Sequence, residues 1–170
     1  LLCHGFPELW YSWRHQLTAL AAAGYRAVAP DMRGYGRTGA PEPVDAYTVL
    51  HLVGDMVGLL DSLGEKQAVL VGHDWGGAVA WQVAGRHSDR VRTLTVVSTP
   101  HPAAMGLALA GKVGGDQPQR SGYITLFREP DSQDQFLAND AQVLKMFYAA
   151  SGMPEGRADP YLAALGTHEA

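Results

Sequence analysis

Cys3 is the only cysteine in 170 residues, which excludes an internal disulfide and fits a reducing compartment, so a cytoplasmic setting is expected. Basic runs are missing and the formal charge is −4, so neither nucleic acid nor an anionic membrane is an expected partner. No apolar stretch approaches bilayer-spanning length, and the first residues carry no charged leader with a cleavage site. No group of His, Cys, Asp and Glu has metal-ligand spacing, and no cofactor is expected. Internal repeats are lacking too. What remains is an ordinary globular composition, 46% hydrophobic, enough for one domain of good size or a domain with part of another.

Strand-like and helix-like stretches alternate through the first hundred residues. Leu1 to Cys3 reads as a short strand running into the loop His4-Gly5-Phe6-Pro7-Glu8. Trp10, Trp13, Leu17, Leu20 and Ala21 recur at helical spacing, with Gly24 as the stop. Arg26 to Pro30 reads as a second strand, followed by the glycine-rich loop Asp31 to Arg37. A helical stripe from Val49 to Leu63 ends at Gly64. A strand at Ala68 to Gly72, a helix at Trp75 to Arg86 and a strand at Val91 to Ser98 complete the series. The alternation predicts an α/β fold with a mostly parallel sheet covered on both faces by helices. Sites in such sheets lie beyond the carboxyl ends of the strands. His4 to Glu8, Asp31 to Arg37, Asp74 and Thr99 to Pro102 all fall there.

After Pro102 the rhythm changes to a loose connector with Gly106, Gly111, Gly114, Gly115 and Pro118. Phe136, Leu137, Val143, Leu144, Phe147 and Tyr148 read as one or two helices, with Asn139 as a cap between them. The expected division is a core over 1–117 and a helical cap over 118–170, with a weakly patterned tail from Met153.

The stretch Gly72-His73-Asp74-Trp75-Gly76-Gly77 passes from a buried strand straight into a helix. A Gly-x-nucleophile-x-Gly turn is so tight that small residues must flank the central one, and Asp tolerates the strained conformation better than most side chains. A carboxylate there is held at a helix start, where free N–H groups keep it ionised. Asp is also among the best helix N-caps, a plainer role for the same residue. Capping, however, needs neither glycine, and no Glu or Gln follows at the third position to close a capping box.

Together with His4 to Glu8, Trp10-Tyr11-Ser12-Trp13-Arg14 and Asp31-Met32-Arg33-Gly34-Tyr35-Gly36, this turn closely resembles the soluble epoxide hydrolases of the α/β-hydrolase fold. The likeness runs over residues 1 to about 130. It implies that Asp74 attacks an epoxide carbon to form an alkyl-enzyme ester, later hydrolysed by water to a vicinal diol. It implies further that the backbone N–H groups of Phe6 and Trp75 form the oxyanion hole, and that Tyr123, in the segment Tyr123 to Pro130, is an acid that assists the leaving oxygen. In the resembling family the residues matching His4, Gly5, Pro7, Gly72, His73 and Gly76 support the motifs, and the proline matching Pro7 usually follows a cis bond, with an ordinary loop proline as the alternative the sequence leaves open. Arg33 and Arg37 are expected to pair with carboxylates, and His101 to shape its loop. The expected partners are a small apolar epoxide and water.

The resembling family carries its catalytic His, the acid that orients it and a second tyrosine near its carboxyl end. His168 lacks the surrounding motif, so the chain reads as an internal segment truncated at both ends, with only part of the fold and cap. Two alternatives compete. A haloalkane dehalogenase shares the nucleophile and the tryptophan after it, but usually has Asn where this chain has Phe6. A non-catalytic ligand-binding module would hold an apolar ligand without forming any adduct.

Overall fold

The computed structural model describes residues 1–154 and 156–165, so His168 lies outside the described residues. The chain divides into two compact units, Leu1–Pro100 and His101–Ala170. That boundary precedes position 117, where composition alone drew it.

In the first unit three strands, β1 (Leu2–Cys3), β2 (Ala68–His73) and β3 (Val91–Val97), form a parallel sheet in the order β1-β2-β3. Leu2 pairs with Val71 and Cys3 with Gly72, and β3 runs alongside the whole of β2. Arg26 to Pro30, expected as a strand, forms none. Its neighbour β1 is two residues long, and the contact reduces to one bond, Leu2 N–H to Val28 O at 2.9 Å. Apolar sequence supplies strand propensity, but a ladder needs a partner of matching length. The expected cover on both faces is also incomplete, since β3 exposes Arg92, Thr93, Thr95 and Val97.

Helices α1 (Arg14–Ala22), α2 (Val49–Ser62) and α3 (Trp75–Arg86) flank the sheet, α1 being preceded by a 3₁₀ turn over Trp10–Trp13. Thr48 caps α2 by accepting the His51 N–H, and the stripe Val53, Met56 and Leu60 is buried. Gly64 at φ 72° ends the helix, and Glu65 N–H returns to Leu60 O, the bond of a Schellman closure. Cys3, Met32, Met56, Leu70, Val79, Ala80 and Val83 make the core between strands and helices. The helix face carrying Val79 and Val83 seats α3 on β2, which fixes where its first turn points.

In the second unit Pro102 to Leu109 forms α4, where a connector was expected. His101 Nδ1 accepts the Ala103 N–H and Pro102 takes the first helical position, so the segment starts a helix despite Gly106. Short helices α5 (Gln117–Arg120) and α6 (Tyr123–Phe127) lead to α7 (Ser132–Ala150) and α8 (Asp159–Leu165). Helix α7 breaks at Ala138 to Ala141, where Asn139, Asp140 and Ala141 all have positive φ. Asn139 therefore sits at the expected interruption.

Candidate active site

β2 turns into α3 at Asp74, whose backbone takes φ 52° and ψ −122°. A non-glycine residue there stores roughly 1–3 kcal/mol of strain. The turn leaves no choice at its flanks: a Cβ on Gly72 would collide with the carbonyl of Gly76, and one on Gly76 with the carbonyl oxygens of Cys3 and His4. Asp74 stands in the N-cap position, yet its carboxylate makes no capping bond. Instead Oδ1 accepts the Phe6 backbone N–H at 3.0 Å. The carboxylate thus faces the first loop, and the plainer capping role is not the one it fills.

The loop that brings Phe6 there is held at several points. Gly5 O accepts from His4 Nδ1 at 2.9 Å and from the Glu8 N–H at 3.0 Å. Because a trans peptide points its C=O and N–H in opposite directions, fixing the Gly5 carbonyl aims the Phe6 N–H at Asp74. Gly5 itself permits the approach, since a Cβ would fall on the Asp74 side chain. The Phe6–Pro7 bond is cis. The other nitrogen of the buried His4, Nε2, accepts the Met32 N–H at 2.9 Å, tying the Asp31 to Arg37 loop to the first one. Asp31 closes that second loop by accepting the Trp10 N–H at 2.9 Å on Oδ1 and the Arg37 N–H at 3.4 Å on Oδ2.

Burial, outweighing the Gly5 bond and the charges of Asp31 and Glu8, holds the His4 imidazole below its ordinary value. With Nδ1 donating and Nε2 accepting, His4 is the neutral ring. His73 differs. Its bond from Nδ1 to Glu8 Oε2, 3.1 Å long, raises its titration point against partial burial, with help from Glu8 and Asp74 charge. Burial works to raise Glu8, but the His73 bond and the Gly5 N–H at 3.3 Å bring it below the usual carboxylate range. Burial and the nearby charges of Asp74 and Glu8 keep the Tyr35 hydroxyl protonated well above the ordinary phenol range. Its ring stands edge-on to His4, centroids 4.9 Å apart.

Arg33 grips Asp55 through two nitrogens, Nε to Oδ2 at 2.7 Å and Nη2 to Oδ1 at 2.5 Å, as expected for a loop arginine. Thr99, just past β3, donates its hydroxyl to the Asp74 carbonyl at 2.9 Å. The Trp75 N–H opens α3, where helix geometry offers no acceptor, and its indole is exposed. Tyr123 begins α6 in the second unit, half exposed and edge-on to Phe127 at 5.3 Å. The first unit alone therefore gathers Asp74, Phe6, Trp75, His4, Gly5, Pro7, Gly72, His73 and Gly76. Sequence reasoning gave Thr99, Tyr35 and Glu8 no part of their own. Among the described residues no three His, Cys, Asp or Glu side chains converge as a metal site.

The pattern that defines the alpha/beta hydrolase fold family matches residues 1–152. An epoxide hydrolase of Caballeronia sordidicola is 42% identical over 158 residues, which cover 92% of this chain and 48% of that protein. The crystal structure of an epoxide hydrolase from Vigna radiata aligns with a TM-score of 0.77 at 37% identity, covering 95% of this chain and 58% of that one. A Bacillus megaterium epoxide hydrolase, crystallised with an inhibitor, aligns with a TM-score of 0.87 at 26% identity, covering 99% and 59%. The chain spans about half the length of the curated relatives it matches.

Proposed function

Because this chain belongs to the α/β-hydrolase fold family, we propose that it supplies the nucleophilic part of an epoxide hydrolase, with Asp74 as the nucleophile. The observation that carries the reading is the Phe6 N–H on Asp74 Oδ1, at a turn whose flanking glycines are forced by backbone contact. The relatives just described are themselves epoxide hydrolases, which supports the same reading.

With Oδ1 held by Phe6, Oδ2 is the oxygen that attacks an epoxide carbon. The ring C–O bond breaks, its electron pair goes to the departing oxygen, and the Tyr123 hydroxyl donates the proton that oxygen needs. An alkyl ester on Asp74 results. Water then adds to the ester carbon, pushing charge onto Oδ1, where the Phe6 and Trp75 N–H groups receive it. Collapse breaks the bond between the carbonyl carbon and Oδ2, and the departing oxygen takes the proton held by the base to complete a vicinal diol. The proton left on the Asp74 carboxyl returns through solvent to Tyr123, restoring carboxylate and phenol. His4 is not the base that takes the water's proton, for it is buried and its Nε2 already holds the Met32 N–H. The base is a residue other than His4. The substrate is a small apolar epoxide, and a reducing compartment such as the cytoplasm suits the single buried thiol.

The test is intact-protein mass spectrometry after rapid mixing with styrene oxide. Addition of one epoxide mass on Asp74, absent from Asp74→Asn, is the expected result. Diol formation that survives Asp74→Asn at the unaltered rate would remove the nucleophile from the scheme.

A further inference from the structure

We propose that Thr99 is a positioning residue that aims and polarises the Trp75 N–H, an inference that rests on Asp74 being the nucleophile. The Asp74–Trp75 peptide is one rigid plane, with the Asp74 carbonyl at one side and the Trp75 N–H pointing the opposite way. Whatever fixes the carbonyl fixes the donor. Helix α3 contributes one bond to that carbonyl, from the Ala78 N–H at 3.0 Å. Asp74, at φ 52°, lies outside the helical basin, so helix geometry does not set the plane on its N-terminal side.

The Thr99 hydroxyl completes the hold, its Oγ1 lying 2.9 Å from the Asp74 carbonyl oxygen. Its single proton has one other acceptor in reach, Val97 O at 3.4 Å, and the shorter contact takes it. Thr99 is itself fixed. Ser98, at φ 57°, turns the chain back after β3, and Trp81 Nε1 of α3 donates to Thr99 O at 3.3 Å. Gly77 leaves room for the hydroxyl, because a Cβ there would strike Thr99 Oγ1. The Gly5–Phe6 peptide is built the same way: two donors hold its carbonyl and its N–H faces Asp74. A second donor on a carbonyl also polarises the N–H across the same peptide, strengthening the bond it gives.

The effect is selective for one step. During ring opening the carboxylate loses charge as it becomes an ester, so a sharper N–H donor brings that step little. During ester hydrolysis the water oxygen bonds to the ester carbon, its proton passes to the general base, and the carbonyl pair moves onto Oδ1. Only then does the oxyanion form that the Trp75 N–H must meet.

The experiment uses the intact protein, styrene oxide as the probe, and rapid quench with mass spectrometry to time adduct formation and adduct loss separately. In Thr99→Val, adduct loss is expected to slow by roughly tenfold while adduct formation stays within about twofold, so the ester accumulates during turnover. Thr99→Ser, which keeps the hydroxyl, is expected to restore adduct loss. Thr99→Ala substitutes for the valine variant if that one does not fold. The proposal is overturned if both steps slow together, if adduct loss is unchanged, or if neither hydroxyl-free variant folds while Thr99→Ser does. Failure to find any adduct on Asp74 in the unaltered protein is a distinct result, and strikes the nucleophile itself.

Discussion

His73 Nδ1 donates to Glu8 Oε2 at 3.1 Å, joining the residue before Asp74 to the end of the loop that carries Phe6. Each partner shifts the other toward its charged form: His73 titrates above its ordinary 6.5 and Glu8 below its ordinary 4.5. The His73 contribution to stability is therefore fully present below pH 6.5 and is lost as pH rises through its raised value. The Glu8 contribution is present above pH 4.5 and is lost as pH falls through its lowered value. Comparing the Tm of the intact protein with that of Glu8→Gln should give the larger gap near about pH 5.5 and a smaller one near about pH 9. Equal gaps at the two pH values would show that the pair is not ionised as drawn.

His4 responds in the opposite sense. Its folded value lies below the ordinary 6.5, so the unfolded chain takes up the proton first. The associated stability is complete above pH 6.5 and drains as pH falls through that value. One such group contributes a slope of at most about 1.4 kcal/mol per pH unit. Urea titrations between about pH 5 and 6.5 should show a shallower slope in His4→Gln than in the unaltered protein.

Two glycines of α3 separate steric need from helix propensity. Gly76 admits no Cβ beside the Cys3 and His4 carbonyls, whereas nothing lies within 4 Å of a Cβ on Gly85. Gly76→Ala is expected to destabilise by more than about 2 kcal/mol, through forced displacement of backbone. Gly85→Ala is expected to stabilise by up to about 1 kcal/mol. Chemical denaturation of both variants decides.

Cys3 is fully buried, and burial pushes its thiol up to about 12. A thiol reagent such as dithionitrobenzoate should leave the folded protein essentially unlabelled at neutral pH and react at once in denaturant. Prompt labelling without denaturant would mean that β1 is not seated against β2.

The elbow was legible in the sequence because backbone contact dictates it. Two carbonyls against Gly76 and one against Gly72 allow no side chain, and that demand is written as Gly-x-Asp-x-Gly. The helix stops at Gly24 and Gly64 were legible for a related reason, both having positive φ. Other features depend on partners far along the chain. Glu8 meets His73 across 65 positions, and Thr99 meets Asp74 across 25. Nothing local marks a threonine that binds a distant carbonyl. Arg26 to Pro30 failed as a strand for want of a partner, which no local pattern records. In α4 Gly106 reads as loop, but Pro102 and the His101 cap prevail.

The donor that meets Asp74 Oδ1 is the main chain of Phe6, not its ring. Point mutation cannot delete a main-chain amide except by installing proline. Any other replacement at position 6 changes the side chain alone, so the amide on the carboxylate passes through such a change intact.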